Sequence, residues 1–510
     1  MNLKTTLFSV GLIFAGLSLQ SQTPGSLDTS FGTNGKVLTN LYGYQEIFDT
    51  ALQSDGKIIS VGRSKNGNDY NFCIFRHNVD GSLDTSFGTN GGVVIDIKGN
   101  ADYDEARAVV VQPDDKIIVG GSAGLEATNG NSHFALVRLN VNGTLDSTFG
   151  TGGITSFIVG SDTSDPDGRI YKLKLQADGK ILAAGSARNT TTFRDFALVR
   201  LLSNGALDSD FSNDGKVTVD FGYILDRAVD FNIEDDGKIT VVGDTSSDVG
   251  LARFFDYGSL DTSYGTSGKI TVDNGSTFIM SGAAFQPDGK VLVLGNISND
   301  LVLRRLNTDG TFDATFGTAG SVTTDIDNSS SDTGSTDLLV QPDGNIIVTA
   351  LCNTGGTRYF GILRYTGAGT LDPTFSNDGI VLTNFLGGAN TATSALFQND
   401  GKLVIGGFAG FTGQTELALA RYYTGISLGT PTVENATVKV YPNPTSGILN
   451  IQNSLNSLAS QKYSVVDQLG RVVANGTFMD GINNQINLST LNSGVYHIVL
   501  QNTTIKIVKQ

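Results

Sequence analysis

The chain is 510 residues long, room for a large repeat array, and its 39% hydrophobic content supports a packed core, which excludes a disordered protein. Lys and Arg total 34 against 50 Asp and Glu, for a net charge of −16 without any long basic run, which excludes a phosphate-tracking groove for nucleic acid and a lipid-binding patch. Gly at 64 and Pro at 9 suit many tight turns between strands.

Residues 1–21 predict a signal peptide. Lys4 supplies the charged start and Leu7 to Leu19 ("LFSVGLIFAGLSL") the apolar middle, with cleavage expected near Ser21. That run is too short to span a bilayer comfortably, and no other apolar run reaches membrane length, so an exported, soluble protein with no transmembrane segment is expected.

"GSLDTSFGTNGKV" from Gly25 to Val37 returns from Gly81 to Val93 as "GSLDTSFGTNGGV", and the motif recurs seven times. Its Asp is Asp28, Asp84, Asp146, Asp208, Asp261, Asp313 and Asp372; an aromatic residue follows three positions later and a Gly four beyond that. Each copy has a second landmark, as in "LQSDGKIISVG" from Leu52 to Gly62, and a third, an apolar run ending in Arg such as "NFCIFR". The runs "GKVLT", "DTALQ", "KIISVG" and "FCIFR" predict four short strands per unit. Seven such units over residues 22–425 predict an all-β, seven-bladed β-propeller; a solenoid is the alternative, with coils usually shorter than this unit.

These repeats resemble the delta-60 β-propeller repeat of secreted bacterial proteins, through "LDTSFG" at Leu27–Gly32 and Leu83–Gly88 and "QPDGKV" at Gln286–Val291. The resemblance implies a fold and no particular chemistry. Features present in every copy are read as scaffold: the Leu and aromatic packing between blades, the Asp and Gly building turns, the Arg reaching a carboxylate or turn carbonyl.

Antiparallel alternation sends the "DGK" turn and the "GSLDTSFG" link to one face, and the remaining two connections to the other. The first face is constant from copy to copy and the second is diverse, which makes the second the expected binding face. Tyr42, Tyr44, Tyr70 and Tyr103 have no counterpart in every repeat, and they are the expected binding-loop residues for a glycan or protein ligand.

Catalytic signatures are thin. His77, His133 and His497 have no metal-ligand spacing, and the first two are expected to face solvent or lie in turns. Asp162, Asp165 and Asp167 miss the regular Ca²⁺-loop spacing and read as a solvated loop. No catalytic residue, metal or cofactor is expected. Cys73 and Cys352 are expected to be buried and free.

After a linker at 426–436, residues 437–510 show seven short alternating strands, which predict a small immunoglobulin-like β-sandwich. "VYPNPTSGILNI", "VVDQLGRVV", "LNSGVYHIVL" and the terminal "IKIVKQ" resemble the type A C-terminal sorting domain of the type IX secretion system. The matching motif residues are Tyr441, Pro442, Asn443, Pro444, Gly447, Gly470, Arg471, Gly494 and Tyr496. The resemblance implies passage through the periplasm and outer membrane, with the secretion machinery as partner. The expected function is a secreted or cell-surface, non-catalytic binding or adhesion protein; the alternative is a propeller enzyme acting on extracellular polysaccharide.

Overall fold

The computed structural model describes residues 23–67, 69–99, 103–125, 131–246, 248–273, 278–298, 300–326, 335–385, 388–411, 413–426, 439–452, 462–466, 472–478, 483–500 and 503–510. The expected signal peptide, most of the expected linker, and Gly470 and Arg471 lie outside these residues. The chain divides into two compact units after Ile426.

In the first unit, an inner strand Gln45–Leu52 is followed outward by Ile58–Asn66, Asp69–His77 and the short Gly92–Ile95, each antiparallel to the last. We number this sheet blade 1; the inner strands of blades 2 to 7 begin at Tyr103, Arg169, Asp226, Ile279, Ser335 and Ala389. Each blade has four strands, and the inner strands surround a central channel, so the unit is a seven-bladed β-propeller.

Blade and repeat are out of step by one strand. Blade 7 is completed by Lys36–Thr39 from the other end of the array, paired with Gln414–Tyr422 through Lys36↔Ala420 to Thr39↔Leu417. "GKVLT" is thus the outermost strand of the preceding blade and not the first of its own. A hydrogen-bonded ladder closes the ring, and each blade keeps only a short four-residue strand at its outer edge. The assignment of connections to faces survives the shift, because antiparallel alternation does not depend on which strand is counted first.

Every inner strand carries a β-bulge at the same height. In blade 1 it falls between Ile47 and Asp49 and leaves Phe48 unpaired; the other six blades match it. The bulge explains the Gly that ends "KIISVG". Gly62 lies opposite Ile47, where a Cβ would come within 1.9 Å of the Glu46 carbonyl oxygen. Blade 6 departs, with Ala350 opposite Ser335.

The repeated signature builds the seams between blades. Phe31, Phe87, Phe149, Phe211, Phe316 and Phe375 are fully buried. Arg138 shows the arrangement. Its Nε donates to Asp146 at 2.8 Å, its Nη2 donates to Thr148 Oγ1 at 3.0 Å, and its Nη1 donates to the Ser203 carbonyl of the next blade. The guanidinium lies 4.8 Å from the Phe149 ring centre, and Lys116 adds a second cation 3.0 Å from Asp146. The expected carboxylate and the expected carbonyl are both engaged by one planar fork. Across the closing seam, Arg421 donates to Asp28 at 2.9 Å and to the Val79 carbonyl at 2.5 Å. Gly35 ends this signature at φ 85°, with the Leu27 Cβ only 2.7 Å from where its own Cβ would stand.

Both cysteines are buried, and neither is in a disulfide. His77 corrects its expectation. It is fully buried, its Nε2 lies 2.9 Å from Thr39 Oγ1, and desolvation pushes its pKa down to about 4. The same blade-to-blade contact joins Thr324 to Tyr365 and Thr383 to Tyr422. His77 therefore belongs to the scaffold.

The second unit packs Lys439–Tyr441, Ile448–Gln452 and Asn483–Asn487 as one antiparallel sheet. Val472–Thr477, Lys462–Val466, Gly494–Leu500 and Thr503–Lys509 form the other, in that order. Leu449, Ile451, Val465, Ile486, Ile498 and Ile507 belong to the core of this small sandwich.

Asp28 joins the two ends of the array, so Asp28→Ala leaves Arg421 buried without its carboxylate and is expected to cost about 3 kcal/mol. Hydrogen bonds from Ser30, Tyr423 and Lys402 overcome burial and hold the Asp28 pKa below the usual carboxylate range. This stabilisation is therefore present above pH ~4 and lost as the pH falls below it. Urea melts measure the loss, and hydrogen exchange should localise it to Lys36–Thr39 and Gln414–Tyr422. Asp313→Ala, within blade 5, should leave those amides protected.

Candidate functional site

A cavity of about 400 Å³ opens in the central channel, lined from all seven inner strands. The bulges aim their extra residues into it: Phe48, Arg107, Tyr171, Val229, Ser281, Thr336 and Thr393. The next position also differs in every blade but three, as Asp49, Ala108, Lys172, Asp230, Gly282, Asp337 and Ser394. Burial works against the Lys172 ammonium, but Asp230, Asp337 and Asp49 together hold its pKa above the ordinary value. Asp49 is pushed up to about 6 by burial, against the opposing pull of Lys172, and Asp337 is raised for the same reason.

These carboxylates already have structural partners. Asp49 Oδ2 accepts from Val109 N of blade 2 at 2.9 Å, and Asp337 Oδ2 accepts from Ala395 N of blade 7 at 3.1 Å. Their other oxygens accept from Thr50 N and Leu338 N in their own strands, at 2.8 and 2.9 Å. They staple neighbouring inner strands together. Sequence reasoning missed this ring, although copy-to-copy variation inside an otherwise regular strand was the available signal.

Three of the expected binding tyrosines come together at the seam of blades 1 and 2. Tyr44 meets Tyr70 at 5.9 Å between ring centres, and Tyr70 meets Tyr103 at 4.8 Å, both edge to face. Tyr70 and Tyr103 are not loop residues: each lies in a strand, and a parallel bridge between them joins the two sheets. Arg63 lies 4.7 Å from the Tyr70 ring centre and pairs with Glu46 and, across the seam, with Glu105 at 3.2 Å. All three rings are half-buried. Tyr42 is also half-buried, 5.7 Å from Phe75, and packs on the blade core.

Exposed apolar side chains on the variable face gather elsewhere, at the seam of blades 3 and 4. Phe193, Ile224 and Leu225 are 52%, 64% and 50% exposed, with Tyr223 beside them. Arg194 N donates to the Ile224 carbonyl at 3.3 Å, which holds the loop against the third strand of blade 3. The run "YIL" between acidic residues was the sequence signal for this patch. The Asp162 loop is not simply solvated either. Arg188 pairs with Asp162 at 3.3 Å and Asp165 at 2.7 Å, while Asp167 is buried against Arg169 and Arg194.

In the second unit the motif residues meet the end of the chain. Asn443 Nδ2 donates to the Lys506 carbonyl, and Asn443 Oδ1 accepts from Val508 N, both at 2.9 Å. Thr445 N donates to the Val508 carbonyl at 2.8 Å and Gln510 N donates to the Thr445 carbonyl at 2.9 Å. The Asn443 side chain thus extends the ladder of the last strand. Tyr496 OH donates to the Asn492 carbonyl at 2.9 Å, and a Cβ on Gly447 would crowd Ser489 at 3.3 Å. Gly494 lies two residues before Tyr496 in the same strand, and Tyr441 is exposed beside Pro442 and Pro444.

The fold and these two units define a repeat propeller carrying a C-terminal accessory domain. Residues 53–87, 112–149, 176–211, 234–264, 286–316, 341–375 and 398–424 match the "Domain of unknown function (DUF5122) beta-propeller" family, one segment per repeat. Residues 439–510 match the "Secretion system C-terminal sorting domain" family. The chain thus carries seven DUF5122 β-propeller repeats and a type IX sorting domain, and is exported to the cell surface or the medium through that system. No curated protein matches it. Among solved structures, virginiamycin B lyase from Staphylococcus aureus is 11% identical, with a TM-score of 0.44 over 76% of this chain and 99% of that one. A streptogramin B lyase is 13% identical, with a TM-score of 0.43 over 75% and 96%. An α-L-arabinofuranosidase from Fusarium graminearum is 11% identical, with a TM-score of 0.41 over 78% and 99%. Among the described residues, no helix is long and apolar enough to cross a membrane.

Removing residues 437–510 is expected to leave the propeller in the periplasm, as cell fractionation would show. Asn443→Ala, which deletes two hydrogen bonds to the last strand, should destabilise the sorting domain by about 1–2 kcal/mol and reduce export in parallel. Full export of the truncated chain would contradict this role.

Proposed function

We propose that the exported propeller is a non-catalytic binding protein that takes a protein ligand on its variable face. The observation carrying this reading is the exposed patch of Phe193, Ile224 and Leu225 on a face whose connections differ from blade to blade. Phe193, Ile224 and Leu225 offer apolar area but no hydrogen bonds to sugar hydroxyls, so they suit an apolar protein surface better than a glycan. The accessible edges of Tyr44, Tyr70 and Tyr103 supply a second contact area at the other seam. There the same rings also brace the blades, which leaves less freedom to adapt to a ligand. The alternative, an enzyme acting on extracellular polysaccharide, would have to draw on the channel carboxylates. The hydrogen bonds that Asp49 and Asp337 accept from neighbouring backbone support the structural reading of both.

The test measures binding of the labelled chain to isolated cell-surface protein and to a glycan array. Combining Phe193→Ser, Ile224→Ser and Leu225→Ser is expected to weaken binding to the protein at least about tenfold, with Tm unchanged. Replacing Tyr44, Tyr70 and Tyr103 together by Ala should instead lower Tm as well as binding. Binding confined to the glycan array would favour the sugar ligand. Unchanged binding in the apolar variant, with loss on altering the Asp-Gly-Lys turns, would place the ligand on the opposite face.

A further inference from the structure

Three carboxylates converge where blades 3 and 4 meet on the variable face. Asp195 lies in the third strand of blade 3, Phe193–Leu201; Asp220 follows its outer strand, Lys216–Val219; Asp226 opens the inner strand of blade 4. One oxygen from each lies within 4.8 Å of the others. Asp195 is 2% exposed and Asp226 is fully buried.

Half of each side chain has an ordinary task. Asp226 Oδ2 accepts from Phe221 N at 2.8 Å, and Asp220 Oδ1 accepts from Gly222 N at 2.6 Å. Asp195 Oδ2 accepts from Asn189 Nδ2 at 2.5 Å and Thr192 Oγ1 at 2.7 Å. The other half is unexplained. Asp195 Oδ1 and Asp226 Oδ1 are buried without a hydrogen-bond partner, and so is Thr245 Oγ1. Thr245 is fully buried and directly opposite Asp226 in the ladder, which puts both side chains on one face of the sheet.

The other seams show what a purely structural arrangement looks like. Asp104, the counterpart of Asp226 in blade 2, has both oxygens filled, by Ile97 N at 2.7 Å and Gly124 N at 2.9 Å. In blade 7 the counterpart is Asn390, whose amide donates to the Arg358 carbonyl at 2.7 Å. At the next seam Asp248 and Asp273 recur, but Phe278 replaces the third Asp. Burial pushes Asp226 up to about 7, with Asp195, Asp220 and Asp244 adding negative charge. Lys269, the basic group at this seam, gives its ammonium to the Asp220 backbone carbonyl at 2.7 Å and offsets only part of the charge on Asp195.

We propose that this seam is a Ca²⁺ site, with Asp195 Oδ1, Asp226 Oδ1, a carboxylate oxygen of Asp220 and Thr245 Oγ1 as ligands and water completing the shell. Ca²⁺ takes oxygen ligands at about 2.3–2.6 Å, so two that share one ion can be at most about 5 Å apart. The cluster meets that limit. An all-oxygen donor set lacks the nitrogen or sulfur that Zn²⁺ favours, and ligands drawn from three strands and loops suit the irregular shell of Ca²⁺ better than the strict octahedron of Mg²⁺. The ion ties the third strand of blade 3 to the loop that presents Tyr223, Ile224 and Leu225.

The full chain, stripped with EDTA, is titrated with CaCl₂ by calorimetry, and its Tm is followed up to about 10 mM CaCl₂. One site with a Kd of about 10⁻⁴–10⁻³ M is expected, with a Tm rise of about 1–3 °C and at least about tenfold weaker binding of Mg²⁺. Asp226→Asn should weaken Ca²⁺ binding more than about tenfold while melting no lower than the parent in Ca²⁺-free buffer, because one of the mutually repelling charges is gone. Asp195→Asn serves the same purpose if the first variant fails to fold, and Asp248→Asn at the next seam should leave the titration unchanged. A parent chain with neither heat nor Tm response, or a variant that binds as the parent does, overturns the proposal. So does a parent that ignores Ca²⁺ but gains Tm as the pH falls from about 7 to about 5, since a proton would then hold the pair together.

Discussion

The propeller depends on one interaction repeated at six of the seven seams, an Arg at the end of the third strand clamped between its own blade and the next; in blade 4 Arg253 pairs with Asp261 of its own blade. The Asp below it fixes the guanidinium plane, the buried aromatic supports that plane, and the far nitrogen reaches a turn carbonyl of the neighbouring blade. A buried Arg without a carboxylate would be costly, and a carboxylate held by turn hydrogen bonds is already positioned for it. Turn, seam and core are therefore one unit, and changing any member disturbs the other two. This is why thirteen residues can return almost unchanged after more than fifty positions.

Because the clamp sits on one face, the opposite face is released from the repeat. The connections there need only return the chain to the next inner strand. They vary in length and chemistry, and the molecule's exposed apolar loop and its tyrosine seam are both found on that side. The bulges extend the same freedom into the channel, since the residue a bulge leaves unpaired takes no part in the ladder. The sorting domain solves a different problem. Its motif near Asn443 and the strand Thr503–Lys509 are far apart in sequence yet hydrogen-bond directly, so the two form one structural unit.

Much of this was legible without coordinates. Internal comparison of the seven copies identifies the Asp, Gly, aromatic and Arg of each seam, the strand count per unit, and the division into a constant and a variable face. Motif order at the end of the chain identifies the sorting domain. The candidate site was much less legible. His77 reads as a turn residue until the outer strand bearing Thr39 is seen to pack beside it. Tyr70 and Tyr103 read as loop residues until their bridge shows them joining two sheets.

Local patterning determined the strands, the turns and the number of blades, because hydrophobic alternation and turn chemistry act over a few residues at a time. Ring closure was left to the tertiary structure: the pairing of Lys36–Thr39 with Gln414–Tyr422 joins segments whose partners are fixed only when all seven blades are in place. The same is true of the convergence of Asp195, Asp220 and Asp226. Nothing in their spacing marks them, since each belongs to a different strand or loop, and only the packing of one blade against the next puts their carboxylates together.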